Sequence, residues 1–289
     1  MIYLQFRPLF LRRVRGISGK ANAGVSRWFF VAIFCLGGGL CLAAVATYIH
    51  FDTSWDRLDD LALPCRTDGQ PDRIKIGVIG DSWASGRRLD RFIREAMHAS
   101  GITAEVISAG SPGAKTRRMY RELRQGRSGG PQSLGSILMD DEVDFLVVIA
   151  GVNDSASHVG SGFYAHHMSG IIQAVLARGI VPVVVEIPEF GIAAPSSDKI
   201  FSRIKRALYV LLFDGGEVEV IEEYRRHLRE TLPAAIRDRI ILVDARSVLP
   251  GYDATRSLYA DPIHLNEEGN RRLGGLIGRT IAQAIIAAR

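Results

Sequence analysis

Apolar positions fall into two rhythms after residue 73. Short, nearly continuous runs, many of them β-branched, occur at Ile74–Ile79, Ala104–Ser108, Phe145–Ala150, Ile180–Ile187 and Ile240–Val243. Runs without a polar face fit strands buried on both sides, as in a parallel sheet covered by helices. Between and after them, apolar residues recur at helical spacing over Arg87–Ala99, Arg117–Gln125, Gly162–Arg178, Lys199–Phe213, Val218–Leu232 and Glu267–Ala288. The alternation predicts one α/β domain over 73–289, with a single parallel sheet between two helix layers. Residues 51–72 are polar, contain Pro64 and Pro71, and fit a linker or a wrapping segment.

A different pattern precedes that domain. From Trp28 to Tyr48 the chain carries no charge over 21 residues. As a helix rising ~1.5 Å per residue, such a run spans about one hydrocarbon core. Basic residues come before it, and Asp52, Asp56, Asp59 and Asp60 follow. Because positive flanks stay on the cytoplasmic side, the expected arrangement has three parts. Residues 1–27 form a basic cytoplasmic tail, 28–50 form a transmembrane signal anchor, and the remainder lies outside. For a bacterial chain this means the inner membrane, with the domain on the periplasmic side. The rival is a cleaved signal peptide, since Ala44-Val45-Ala46 fits a small-residue cleavage site. The long basic region favours the uncleaved anchor; a mature protein beginning at Thr47 would contradict it.

Charge then changes the picture once. The formal charge of +5 arises in the tail, where Arg7, Arg12, Arg13, Arg15, Lys20 and Arg27 stand without an acid. Beyond it, 30 basic and 31 acidic residues nearly balance. No nucleic-acid partner is therefore expected for the main domain. Cys35, Cys41 and Cys65 show neither metal spacing nor a disulfide framework.

Candidate chemistry gathers where strands end. Ser82, in Gly80-Asp81-Ser82, follows the first strand; Ser108-Ala109-Gly110-Ser111-Pro112-Gly113 follows the second. Gly151-Val152-Asn153-Asp154 follows the third, and Asp261-Pro262-Ile263-His264 lies between the last strand and the last helix. In a parallel sheet these carboxyl edges share one rim, where open α/β sheets bind ligands. A serine hydroxyl is a poor nucleophile without a base in hydrogen-bond reach. His264 is the candidate base, and Asp261 the group that fixes its tautomer. The N–H groups of Ser82 and Gly110 and the amide of Asn153 are donors suited to an oxyanion. By itself, each block also has a structural explanation, a helix cap for Ser82 above all.

Together the four blocks resemble those of SGNH (GDSL-type) hydrolases, in order and over most of the chain from Ile74 onward. The resemblance implies a flavodoxin-like three-layer α/β/α sandwich and ester hydrolysis without metal or cofactor. It carries over Ser82 as nucleophile, His264 as base, Asp261 as its orienting partner, and Gly110 and Asn153 as oxyanion donors. Trp83 departs from the family's Leu and is a candidate substrate contact, a core position being the other reading. An ordinary α/β-hydrolase is disfavoured, because Ala84 stands where the Gly-x-Ser-x-Gly elbow needs glycine.

The substrate expected from this topology is an acylated small molecule or a cell-envelope glycan carrying O-acyl or O-acetyl esters. Two alternatives use the same residues: an O-acyltransferase, or a non-catalytic module binding glycan or a partner. Lys115, Arg117, Arg118, Arg121, Arg124 and Arg127 either attract an anionic polymer or form a solvated helix face. His158, His166 and His167 lack the carboxylates or cysteines of a metal site.

Overall fold

Strand β1 (Ile74–Gly80) is the centre from which the rest is built, and Ile76, Val78 and Ile79 are fully buried. Its neighbours are β2 (Ala104–Gly110) on one side and β3 (Phe145–Ile149) on the other, both parallel to it. Beyond β3 come β4 (Val181–Val185) and β5 (Ile241–Val243), again parallel. The order β2-β1-β3-β4-β5 is the flavodoxin-like one. This computed structural model describes residues 38–39, 42–47, 49–50, 55–56, 74–125, 134, 143–194 and 199–289.

Helices fill the crossovers that parallel strands require. Helix α1 (Asp90–Ala99) packs against β2 and the C-terminal helix α9 (Glu267–Ala287), forming one layer. The other is made by α2 (Thr116–Gln125), α4 (Ser161–Leu176) and α6 (Ile221–Thr231), with α4 in contact with both α2 and α6. Shorter helices are α3 (Val152–Ala156), α7 (Ala234–Arg237) and α8 (Tyr252–Thr255); α5 (Ile200–Phe213) precedes α6.

Most element boundaries lie within three residues of the sequence pattern. Helix α1 begins three residues later than the apolar pattern suggests. Gly86 and Arg87 both take left-handed backbone angles, φ 72° and 57°, and break the turn before Asp90. The pattern missed α3, which is too short for periodicity to show.

The chain divides into two units, Met1–Ser54 and Trp55–Arg289. In the first, residues 38–39, 42–47 and 49–50 are helical, and the rest of the expected 28–50 span lies outside the described residues. Among the described residues no helix is long and apolar enough to cross a membrane. Cys35, Cys41 and Cys65 also lie outside them.

In the second unit, Trp55 and Asp56 are fastened to α2 and α4. The Asp56 carboxylate accepts from Arg121 at 2.7 Å, and Arg117 lies 3.4 Å away. The Asp56 N–H donates to His167 Nε2 at 3.2 Å, and its carbonyl meets His166 Nε2 at 2.6 Å. Trp55 lies against the His166 ring, with centroids 4.8 Å apart. These two residues of the segment read as a linker or a wrapping segment lie against the domain, and two of the basic residues after the glycine block have a structural partner.

Candidate active site

Four crossovers deliver the site. Strand β1 ends at Gly80, and the Asp81 N–H is held by the Ile149 carbonyl of β3 at 3.3 Å. The Asp81 carboxylate then closes a tight turn by accepting the Trp83 N–H at 3.0 Å. That turn leaves Ser82 partly exposed while Asp81, Trp83 and Ala84 are buried. Among the described residues the Ser82 N–H has no acceptor within the fold.

The far end of the chain meets it there. His264 Nε2 lies 3.0 Å from Ser82 Oγ across 182 residues of sequence, and no other hydrogen bond of that hydroxyl is formed among the described residues. His264 Nδ1 lies 2.7 Å from Asp261 Oδ2. The other Asp261 oxygen accepts the backbone N–H groups of Ile263 and His264, each at 2.8 Å. Partial burial raises the Asp261 pKa, but those N–H groups and the imidazole outweigh it and hold the carboxyl below its ordinary value. An ionised Asp261 requires Nδ1 to carry the proton, which leaves Nε2 as the acceptor facing serine.

Asn153 and Gly110 complete the rim. Gly151 takes φ 108° before α3, and a Cβ there would lie 2.5 Å from Tyr164 and 2.7 Å from Ile187. Only glycine fits both the angle and the space. Asn153 thus sits in the first turn of α3, with its amide donating to Asp81 Oδ2 at 3.1 Å and to the Ala114 carbonyl at 3.2 Å. In this arrangement both amide hydrogens already have protein acceptors. Gly110 pairs with Gly80 across β2 and β1 and lies against the nucleophile turn. A Cβ at 110 would be 2.6 Å from Ser85 Cα and 2.7 Å from the Asp81 carbonyl, with the Ser85 nitrogen closer still.

Two buried acids support this rim. Burial pushes Asp81 up to about 7, the nearby Asp154 charge adding to it, while the Trp83 N–H, His264 and Asn153 pull against it. Asp154 is fully buried and accepts from Thr116 through both its N–H at 3.0 Å and its hydroxyl at 2.6 Å. Burial pushes this acid up too, to about 6, against those bonds. Asp154 therefore ties α3, and Asn153 with it, to the start of α2.

Of the residues singled out by sequence, Ser82, His264, Asp261, Asn153 and Gly110 come together. Trp83 does not join them as a substrate contact: it is 4% exposed and packs into the core, its indole N–H unpartnered among the described residues. The Asp81 turn directs the side chain after Ser82 inward. Among the described residues no group of three or more metal-ligating side chains forms a site, and His166 and His167 are occupied by Asp56. His158 is buried against Asp214, with Nδ1 2.8 Å from Oδ2.

Sequence reading missed the brace beneath the histidine turn. The Gly191 N–H donates to the Pro262 carbonyl at 2.7 Å, and the Tyr259 hydroxyl donates to the Glu189 carbonyl. That loop after β4 is gripped in turn by buried Arg225, through the Ile187 carbonyl at 2.7 Å and Glu189 at 2.6 Å. An arginine on an amphipathic helix gives no sign of this from sequence.

A parallel sheet carrying Ser, His and Asp at its carboxyl edge defines a class of α/β enzyme built for acyl transfer through serine. Comparison places the chain within it: residues 78–272 match the GDSL-like Lipase/Acylhydrolase family. The chain belongs to that family, and it is a hydrolase of ester bonds. Similar folds include the crystal structure of TesA, 16% identical with a TM-score of 0.50, covering 72% of this chain and 97% of that one. The psychrotrophic esterase EstA from Pseudoalteromonas sp. is 11% identical, with a TM-score of 0.49, covering 73% of this chain and 98% of that one. A protein of the G-D-S-L family from Desulfitobacterium hafniense DCB-2 is 15% identical, with a TM-score of 0.48, covering 71% of this chain and 98% of that one. No curated protein matches the chain in sequence.

Proposed function

We propose that the protein is an exported, membrane-anchored serine esterase that removes O-acyl groups, acetyl above all, from cell-envelope carbohydrate through an acyl-enzyme on Ser82. The observation that carries the reaction is the continuous chain from Ser82 Oγ to His264 at 3.0 Å and on to Asp261 at 2.7 Å. Both distances lie within the reach that proton transfer needs.

In the first half-reaction His264 Nε2 takes the Ser82 proton as Oγ attacks the ester carbonyl. Asp261 steadies the imidazolium so formed. The carbonyl oxygen becomes an oxyanion, and the Ser82 N–H, which has no acceptor among the described residues, is the donor offered to it. Asn153 joins by turning one amide hydrogen from Ala114 towards the substrate, and Gly110 lets the backbone rims approach. Collapse expels the alcohol, which takes its proton from His264. Water, deprotonated by the same nitrogen, then releases the acid and restores Ser82.

Envelope carbohydrate as substrate, and export itself, are supported by the uncharged run Trp28–Tyr48 with basic residues before it and acids after it. Full-length protein assayed with p-nitrophenyl acetate and with O-acetylated envelope polysaccharide tests both parts. Turnover lost in Ser82→Ala and His264→Ala supports the esterase, and acetate release from the polysaccharide supports the substrate. A folded protein with no turnover above those variants would refute the hydrolase and favour a transferase or a binding module.

A further inference from the structure

Helix α5 is the most conspicuous surface the reaction does not use. Ile200, Phe201, Ile204, Leu208, Leu211 and Leu212 are all exposed on it, Phe201 at 83% and Leu211 at 67%. At about 100° per residue they fall in one arc of roughly 120°. Tyr209, fully buried and about 60° round the helix from the edge of the arc, marks the face that meets the protein. Contiguous apolar area of this kind marks an interaction surface.

Charge identifies the partner. Residues 199–213 contain Lys199, Arg203, Lys205 and Arg206 and no acid. On the helical wheel Arg203 and Lys205 flank the apolar arc: Arg203 is exposed, and the half-buried Lys205 holds its ammonium 5.0 Å over the Tyr209 ring, so that long basic stems border the apolar area on both edges. A two-fold contact with a second copy would set those basic edges against each other without a compensating acid on the helix. An anionic lipid surface satisfies both the apolar arc and the basic edges.

We propose that α5 is an interfacial helix, lying in the plane of an anionic bilayer with this arc at the headgroup–acyl boundary. The inference does not depend on the reaction assigned to Ser82. It does bear on how the enzyme meets substrate, because α5 is wired to the site. Its Arg206 donates to the Ile192 carbonyl, and neighbouring Gly191 donates to the Pro262 carbonyl inside the Asp261–His264 turn. A helix fixed on the membrane thereby sets the bearing of the catalytic rim relative to it.

The test uses the full-length chain with its three cysteines changed to serine, Leu208→Cys labelled with an environment-sensitive fluorophore, and one chain per nanodisc. In phosphatidylglycerol-containing discs the emission is expected to shift to the blue and to be quenched when the acyl chains are brominated, since the arc would lie at the headgroup–acyl boundary. The double variant Arg203→Glu, Lys205→Glu should lose that quenching. Emission unshifted from that in water would overturn the proposal. So would a blue shift insensitive to bromine, which means a protein contact, or quenching unchanged by the charge reversal.

Discussion

Gly110→Ala should damage the enzyme well beyond the loss of one backbone conformation. The added Cβ would lie 2.6 Å from Ser85 Cα and 2.7 Å from the Asp81 carbonyl, against an ordinary contact of 3.4 Å or more. Both obstacles are backbone, so neither can swing aside. The Ser85 nitrogen is nearer still, so the turn that carries Ser82 must retreat by 0.8 Å or more, about 1 Å. Misplacement near 1 Å costs roughly 10²-fold in rate, or ~2.7 kcal/mol of transition-state stabilisation. Overpacking should also lower stability by about 1–3 kcal/mol. Steady-state kcat/KM on a small acetyl ester, beside a thermal melt, separates the two. Gly113→Ala is the control: nothing lies within 4 Å of its Cβ, though φ is +73°, so it strains the loop without moving Ser82. Gly110→Ala within about threefold of wild-type kcat/KM, with Gly113→Ala equally active, would refute the reasoning.

Asp261→Asn should lower kcat by about 10²–10⁴-fold, since an amide no longer enforces the Nδ1–H tautomer. Chemical-shift measurement on the His264 ring nitrogens would show the tautomer change. His167 donates from Nδ1 to the Phe163 carbonyl and accepts the Asp56 N–H at Nε2, so the fold needs it neutral. Burial accordingly depresses it to about 4. Its contribution is complete above the unfolded value near 6.5 and is lost as pH falls towards 4, about 3 kcal/mol in all. Denaturant melts from pH 7 to 4 should show this loss in the wild type but not in His167→Gln. Asp81 has the opposite sign: with a folded value of about 7, its contribution is present below about 4 and lost as pH rises through 7. Asp81→Asn should therefore gain on the wild type between pH 4 and 7 and run parallel above it; a constant difference would refute the assignment.

The strands were legible because a doubly covered sheet writes unbroken apolar runs, and the alternation with helices fixed parallel topology. Ser82, Asn153, Asp261 and His264 were legible because each follows a strand or precedes a helix at a place topology sends to one edge. What stayed hidden is non-local. Nothing in the segment around Asp56 announces Arg121 and His167, 65 and 111 residues away. Arg225 looks like one more polar helix position until Ile187 and Glu189 surround it. Trp83 could be read either way because the pattern gives a side chain's neighbours along the chain but not the direction a turn sends it.

One carboxylate carries a consequence for ancestry. Asp261 spends Oδ1 on capping its own loop and Oδ2 on the imidazole, so the loop would sag without it even in a descendant that had abandoned catalysis. Asp81, Asn153 and Asp154 are likewise bound into the architecture. Selection for folding alone would preserve four of the motif's letters. Ser82 Oγ, bonded to His264 alone among the described residues, is the letter free to decay. Among lineages of this fold, its loss, and not that of the acids, is the signature by which a retired enzyme would be known.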